Sequence, residues 1–273
     1  MRGQLDEILV FGRFLRIDVL PRVSGGRWKG SGAHLLFVVF QLSLDTIEDV
    51  ACVVVVVIHP AGRLEMPRCG LLAIEIVKEP SDPNNFGDHW HTDQIFTPVP
   101  AMGTMLYAKE VPQAGGDTMF ACMEKAYENL SDAMKKMLGK LSTSNRYDKS
   151  AARSDKMQNK IPNPDEPAAV AVHPLIRVHP ETGRPSLYLT DPQTTTHFNA
   201  MTPEESLPLI TFLLDHATRP EFTCRLNWEV GTLAIWDNRR VLHMALNDYP
   251  GQRRVMHRIT IKGTLPTGLT QSN

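Results

Sequence analysis

The chain has 273 residues, of which 42% are hydrophobic and 22% charged, a composition typical of a folded globular protein rather than a disordered or coiled-coil one. Its 29 basic and 30 acidic residues give a formal net charge of −1, so nothing in the charge indicates binding to nucleic acid or to an anionic membrane. Small-molecule partners are therefore expected, and self-association into a homo-oligomer is left open.

Several features bear on the compartment. The four cysteines are scattered, with no C-x-x-C pair and no spacing typical of a disulfide framework, which favours a reducing compartment. Asp6 lies where a signal peptide would begin its apolar core. The apolar runs at 35–40 and 51–58 are far shorter than the ~20 residues of a membrane span. The sequence therefore predicts a cytoplasmic protein.

The first half of the chain is predicted to be rich in strands. The two apolar runs are expected to be buried strands, because residues 53–58 are β-branched almost throughout and such side chains crowd a helix. A further run at 72–77 ends before two prolines, and residues 84–87 predict a turn into an extended segment that contains His91. Residues 104–108 predict another short strand.

Two amphipathic helices interrupt the strands. Residues 123–141 have apolar side chains at helical spacing, which predicts one helix or a helical pair broken at Ser131. Residues 142–167 are polar and proline-rich, a candidate mobile loop over the site. A second helix is predicted to start at the cap Thr202 and to run to about Arg219. Its predicted buried stripe consists of Leu207, Ile210, Leu213, Leu214 and Ala217.

Strands are predicted again to about residue 262. Many short strands without strand–helix alternation indicate an antiparallel sandwich or barrel, and the chain has no G-x-G-x-x-G motif and no P-loop. The fold class expected from this pattern is mainly β, with flanking α-helices.

The triplet His91-Thr92-Asp93 is the first candidate site. In an extended segment the side chains of His91 and Asp93 point to the same side, whereas on a helix they diverge. Two imidazoles and one carboxylate can occupy one face of an octahedral iron(II) and leave three positions open, and His243 is the candidate third ligand. The other histidines are expected to be surface or hydrogen-bonded residues.

A late strand carries an alternating pattern with two interpretations. Arg254, Met256 and Arg258 share one face, and His257 lies on the other. The arginines could face solvent, which is the commoner arrangement. They could instead face the interior of a barrel, where a buried guanidinium requires an anionic ligand.

From about residue 72 to 266 the chain resembles the taurine dioxygenase family of iron(II)- and 2-oxoglutarate-dependent oxygenases. The resemblance rests on ordered blocks spread over most of this span. They are Trp90-His91-Thr92-Asp93, Gly115-Gly116-Asp117-Thr118, His179-Pro180-Glu181-Thr182-Gly183, the segment from His216 to Phe222, Trp236-Asp237-Asn238-Arg239 with His243, and Asn247-Asp248-Tyr249 leading to the segment from Arg253 to Arg258. The family fold is a double-stranded β-helix, or jelly roll.

The resemblance implies the metal and the co-substrates. His91, Asp93 and His243 would bind iron(II), and O2 would take its open position. Thr118 and Arg254 would bind the distal carboxylate of 2-oxoglutarate. The charges of the implied site are consistent with this assignment. Iron(II), one aspartate and a 2-oxoglutarate dianion sum to one negative charge, which Arg254 balances.

The resemblance also implies the reaction and the domain boundaries. A dioxygenase of this family would hydroxylate a small organic acid, a sulfonate or a carboxylate, and release succinate and CO2. Arg258 would meet the acidic group of the substrate and His59 would line its pocket. The expected units are a divergent N-terminal segment over 1–55, a jelly-roll catalytic domain over 56–266 and a tail over 267–273.

The chain departs from the family pattern in its substrate shell and at its N-terminus. Gly87 stands where the taurine enzymes have a substrate-binding asparagine, and Gly62 replaces a tyrosine. Two alternatives therefore stay open. One is an inactive jelly roll that binds anions and has a degenerate N-terminus. The other is a zinc hydrolase, because two histidines and an aspartate can also hold catalytic zinc.

Overall fold

The computed structural model describes residues 36–39, 54–58, 74–147 and 169–270. Most of the predicted N-terminal segment lies outside these ranges, as do His59, Gly62 and residues 148–167 of the predicted polar loop. Within the described ranges no helix is both long enough and apolar enough to cross a membrane.

Short strands dominate the described part of the chain. In chain order they are β1 Leu36–Val39, β2 Val54–Ile58, β3 Ile74–Lys78, β4 Gly103–Glu110, β5 Thr118–Cys122, β6 Ser142–Tyr147, β7 Ala169–Pro174, β8 Ile176–Val178, β9 Pro185–Leu187, β10 Thr195–Phe198, β11 Thr223–Leu226, β12 Thr232–Asp237, β13 Val241–Ala245, β14 Arg254–Ile261 and β15 Thr267–Gly268.

Two antiparallel sheets pack face to face and enclose one of the two hydrophobic core clusters of the described residues. The larger has the strand order β1-β2-β12-β4-β14-β3, and the smaller has the order β11-β5-β13. Strand β12 alternates between buried and half-buried residues, as a strand with one face on a core must. Leu106, Ala234 and Met256 from the larger sheet pack with Phe120 and Leu226 from the smaller one. This sandwich is the jelly roll that was expected.

In the described part of the chain, three helices pack on a second core cluster. They are α1 Met123–Glu128, α2 Asp132–Leu138 and α3 Pro203–Ala217. The break at Ser131 is confirmed, because its side chain caps α2 by accepting a hydrogen bond from the Met134 amide. Thr202 caps α3 in a reciprocal capping box with Glu205.

The buried stripe of α3 was predicted wrongly at one position. Leu207 is 49% exposed, whereas Ile210, Leu213 and Ala217 are fully buried. The buried residue on that turn is Ser206, whose hydroxyl accepts a hydrogen bond from the Phe198 amide and donates to the Thr202 carbonyl. Helical periodicity alone did not identify this polar contact to β10.

The polar segment after α2 does not begin as a loop. Ser142–Tyr147 forms β6, the centre of the three-stranded sheet β10-β6-β7. Its buried polar side chains are satisfied internally, because Asn145 donates to Thr143 and accepts from the Thr195 hydroxyl. Composition predicted a loop because these hydrogen bonds depend on neighbouring strands. At the other end of the chain, β15 pairs with β8 and carries the ordered strands to Gly268.

The cysteines also differ from expectation. Cys224 is a free thiol, but Cys122, which is buried at the end of β5, is disulfide-bonded. Spacing along the chain did not reveal this bond.

Candidate active site

The first two candidate ligands sit on a loop that is joined to β13 by an isolated β-bridge. His91 forms an isolated antiparallel bridge with His243: the His91 amide donates to the His243 carbonyl at 3.0 Å, and the reverse bond measures 2.8 Å. The chain then turns, with Gln94 at φ 59°. The prediction of an extended segment is therefore wrong beyond His91.

The three candidate ligands converge. One ligand atom from each of His91, Asp93 and His243 lies within 4.8 Å of the other two. Asp93 Oδ1 is 3.9 Å from His91 Nε2 and 3.8 Å from His243 Nε2. No other such cluster of three potential metal ligands occurs among the described residues. The sequence separation of His243 from the other two is closed by the bridge between its strand and the His91 loop.

The protonation states of the cluster suit a divalent metal. His91 Nδ1 lies 2.8 Å from the His89 carbonyl, which can only accept, so Nδ1 carries the proton and the Nε2 lone pair is free. Burial lowers the pKa of His91, and it lowers that of His243 well below the usual value. Burial raises the pKa of Asp93, but the Arg258 guanidinium and the hydrogen bond from Thr104 outweigh it and bring that pKa to about 2. Two neutral imidazoles and one carboxylate are therefore available as ligands.

A chain of hydrogen bonds fixes the second oxygen of Asp93. Trp236 Nε1 can only donate, and it donates to Asn238 Oδ1 at 2.9 Å, which turns the Asn238 amide NH2 towards Thr104. The Thr104 hydroxyl accepts from that group at 2.9 Å and donates to Asp93 Oδ2 at 2.5 Å. Oδ1 therefore faces the two histidines and Arg258. This relay explains Trp236 and Asn238 in the motif before His243, and the sequence carried no signal for Thr104.

Gly87 lies against the first candidate ligand. Its φ is +76°, and a Cβ there would lie 2.7 Å from His91 Cε1 and 3.3 Å from His91 Nε2. Its carbonyl accepts a 2.8 Å hydrogen bond from the Ala245 amide, which ties the loop to β13 a second time. The glycine that departs from the family pattern is thus required by the position of the His91 ring.

The two arginines of β14 face the interior of the sandwich. Arg254 is 6% exposed and Met256 is fully buried, while the Arg258 side chain is 13% exposed. The solvent-facing interpretation of this strand is therefore wrong. Arg258 Nη2 lies 2.7 Å from Asp93 Oδ1, and its guanidinium sits 5.6 Å from the centre of the Phe86 ring. Arg258 thus contacts a candidate metal ligand directly.

Arg254 and Thr118 both contact the side chain of Trp228. Trp228 Nε1 donates to Thr118 Oγ1 at 2.9 Å, and the Arg254 guanidinium lies 5.7 Å from the centre of the Trp228 ring. Burial lowers the pKa of Arg254, although a guanidinium remains charged. Its Nε and Nη2 have no hydrogen-bond partner among the described residues. Buried donor atoms without a partner are costly, so this pair presents a cationic donor site for an anion.

The glycine-rich motif before Thr118 is a tight, cross-linked turn. Gly115 and Gly116 have φ of +79° and +72°, and a Cβ on Gly115 would lie 2.5 Å from Asp248 Oδ1. That oxygen accepts the Gly116 amide at 2.7 Å. Asp117 accepts from Arg225 Nε at 2.5 Å. These contacts hold the start of β5, and with it Thr118, in place.

Three other histidines of the described chain make structural contacts. His173 Nε2 donates to the Ile95 and Thr97 carbonyls, His216 contacts the Ala126 carbonyl, and His257 pairs with Glu75. His59, predicted to line the substrate pocket, lies outside the described residues.

A jelly-roll sandwich with a buried His-Asp-His cluster between its sheets is the architecture of non-haem metal-dependent oxygenases. The family model described as "Taurine catabolism dioxygenase TauD, TfdA family" matches residues 40–260. The chain belongs to this family, and the expected resemblance is confirmed.

Curated relatives and solved structures agree with this assignment. The chain is 36% identical over 193 residues to an alkylsulfatase of Acinetobacter baylyi, covering 66% of this chain and 58% of the relative. It is 34% identical over 190 residues to an alpha-ketoglutarate-dependent sulfate ester dioxygenase of Pseudomonas putida, covering 66% and 61%. The chain thus spans about three-fifths of the length of these relatives.

Two solved structures share the fold. A taurine dioxygenase from Burkholderia xenovorans superposes with a TM-score of 0.59 at 33% identity, covering 71% of this chain and 66% of that one. AAD-2 in complex with Mn(II) and N-oxalylglycine gives a TM-score of 0.58 at 31% identity, covering 67% and 71%.

Proposed function

We propose that the protein is an iron(II)- and 2-oxoglutarate-dependent dioxygenase that hydroxylates a small organic acid and releases succinate and CO2. One observation carries the proposal: the buried Arg254 guanidinium, whose Nε and Nη2 have no partner among the described residues, lies with Thr118 in the same sandwich as the His91, Asp93 and His243 cluster. Three potential metal ligands alone are compatible with many reactions. Three such ligands beside a cationic site that can bind a carboxylate are what a metal-chelating dicarboxylate requires.

The donor set fits iron(II). His91 and His243 would each offer Nε2. Asp93 would offer Oδ1, because this oxygen faces both histidines, although it also pairs with Arg258, while Oδ2 is held by Thr104. Three protein ligands on one face are the usual arrangement for iron(II) that binds oxygen. When bound, the ion supplies oxygen activation and the oxidation of the keto acid, while this chain binds and orients the reactants.

Arg254 and Thr118 would bind the distal carboxylate of 2-oxoglutarate. A guanidinium forms two parallel hydrogen bonds to a carboxylate, each charge-assisted and worth roughly 1.5–3 kcal/mol. Arg254 has two free donor atoms for this purpose. The co-substrate would therefore be recognised at both ends, by chelation at the keto acid and by these residues at the tail.

Arg258 would bind the acidic group of the primary substrate. With iron(II), 2-oxoglutarate, Asp93, Arg254 and Arg258 in place the site carries one net positive charge, which a monoanion neutralises. Relatives are named for sulfate esters, taurine and 2,4-dichlorophenoxyacetate, all of which carry such a group. We therefore propose a sulfate ester, sulfonate or carboxylate as the substrate. A role for His59 in that pocket stays a prediction.

The two alternatives predict different solution behaviour. A zinc hydrolase has no use for a second cationic site at Thr118 and Arg254. An inactive anion-binding jelly roll would bind 2-oxoglutarate without consuming oxygen. Oxygen consumption that depends on both iron(II) and 2-oxoglutarate separates the proposed function from both.

The test is performed in two stages. Iron(II) and 2-oxoglutarate are first mixed anaerobically, and the metal-to-ligand charge-transfer absorption of the chelate is expected in the wild-type protein but not in Asp93→Ala. Oxygen uptake and succinate are then measured with a panel of sulfate esters, sulfonates, phenoxyacids and aliphatic carboxylates. A protein that forms no chelate band and takes up no oxygen with any of these acids does not have the proposed activity.

A further inference from the structure

Trp228 occupies a position that no catalytic assignment explains. It is 5% exposed, lies in the core between the two sheets just after β11, and contacts both residues of the proposed carboxylate site. The contact is set by the backbone register, because Leu226 of β11 pairs with Thr118 of β5. A parallel bond one residue earlier reinforces it, with Asn227 Nδ2 donating to Asp117 Oδ1 at 2.9 Å.

The hydrogen bond from Trp228 determines what the Thr118 hydroxyl can do. An indole N–H has no acceptor capacity, so the hydroxyl oxygen must accept from it and the single hydroxyl hydrogen points elsewhere. That hydrogen has no acceptor among the described residues. Thr104 shows the same pattern completed, because its oxygen accepts from Asn238 and its hydrogen goes to Asp93.

The two contacts of Trp228 therefore act on the same ligand group. The indole N–H makes Thr118 a donor, and the indole ring lies beside the Arg254 guanidinium, whose positive charge is attracted by the ring face. Both donors are then directed at an anion before it arrives, which reduces the ordering cost of binding.

We propose that Trp228 is a positioning residue that orients Thr118 and Arg254 and so makes the site selective for keto acids with a distal carboxylate. This inference rests on the proposed function, in which 2-oxoglutarate is the co-substrate. It adds that selectivity against shorter keto acids depends on an indole N–H that touches neither the metal nor the co-substrate.

The experiment compares two keto acids that share the chelating end. Isothermal titration of the Mn(II)-loaded protein gives the affinities for 2-oxoglutarate and for pyruvate, which lacks the distal carboxylate. Trp228→Phe retains a large ring and removes the N–H. It is expected to weaken 2-oxoglutarate about tenfold, the effect of one charge-assisted hydrogen bond, and to leave pyruvate within about twofold.

A double-mutant cycle with Thr118→Val tests whether the effect passes through the hydroxyl. Thr118→Val is expected to weaken 2-oxoglutarate by a similar factor, and adding Trp228→Phe to it is expected to weaken binding much less than in the wild-type background. Benzothienylalanine at position 228 is the matched control for folding, because it keeps the indole shape and replaces only the N–H by sulfur. It should reproduce the loss of selectivity.

The outcomes are distinct. If the wild-type protein binds 2-oxoglutarate no better than pyruvate, the proposed co-substrate is wrong and the inference fails with it. If the wild-type protein is selective but removal of the N–H leaves the selectivity unchanged, only the role of Trp228 is overturned. Equal weakening of both keto acids also overturns it, because that result indicates general damage to the metal site.

Discussion

Replacement of Gly87 by alanine tests whether this glycine positions the first metal ligand. The new Cβ would lie 2.7 Å from His91 Cε1, about 0.8 Å inside the ~3.5 Å separation of carbon atoms in contact. The His91 ring cannot retreat without cost, since its backbone is bridged to His243 and its Nδ1 is bonded to the His89 carbonyl. We therefore expect the imidazole to leave its place in the cluster.

Two costs must be separated in this variant. A left-handed backbone conformation costs an L-residue roughly 1–2 kcal/mol in stability. Gly183 supplies the matched control, because its φ is +70° and a Cβ there would have no atom within 4 Å. Gly183→Ala should lose stability and keep its metal site. Gly87→Ala should lose at least as much stability and in addition bind metal about 10–100-fold more weakly, as misplaced ligand support usually does.

The assay is the affinity for Mn(II), measured by calorimetry, together with urea unfolding of the metal-free proteins. Equal Mn(II) affinity in the Gly87→Ala and Gly183→Ala proteins would refute the reasoning, since the contact with His91 would then have no effect on the cluster.

Three further predictions follow from the described contacts. Arg258→Met leaves the buried Asp93 carboxylate unpaired, so the metal-free protein should lose roughly 3–5 kcal/mol and its melting temperature should rise more on adding Mn(II) than in the wild type; an equal rise contradicts the pairing. Burial lowers the pKa of His173, so as the pH falls below about 6.5 the unfolded chain binds a proton at this histidine before the folded protein does, and the free energy of unfolding decreases. His173→Gln should therefore reduce the dependence of the free energy of unfolding on pH in this range. An unchanged pH dependence counts against this role of His173. Thr202→Ala removes the cap of α3 and should cost about 1 kcal/mol in urea unfolding with Mn(II) affinity unchanged; no measurable loss would contradict the capping role.

The local chemistry of this protein could be predicted from its sequence. The break at Ser131, the cap at Thr202 and the β-branched run that forms β2 depend on side chains and their own backbone, so short-range patterns contain them. The ordered motifs around His91 and His243 likewise indicated the family. All of these features depend on residues that are close together in the sequence.

Other features depend on contacts between distant segments, and only the tertiary structure decided them. The alternation in β14 fits arginines in solvent or in the interior, and the packing of the larger sheet against the smaller one selects the interior. The single bridge between His91 and His243, the relay through Thr104 and the indole contact of Trp228 join residues that are 11 to 152 positions apart. Composition also mispredicted β6 as a loop, because its polar side chains are satisfied by strands that come later in the chain. The sequence by itself therefore determined which groups are present and the elements that carry them. The sandwich of two antiparallel sheets decided which of those groups meet, since the partner of each strand is supplied by residues that are distant in the chain.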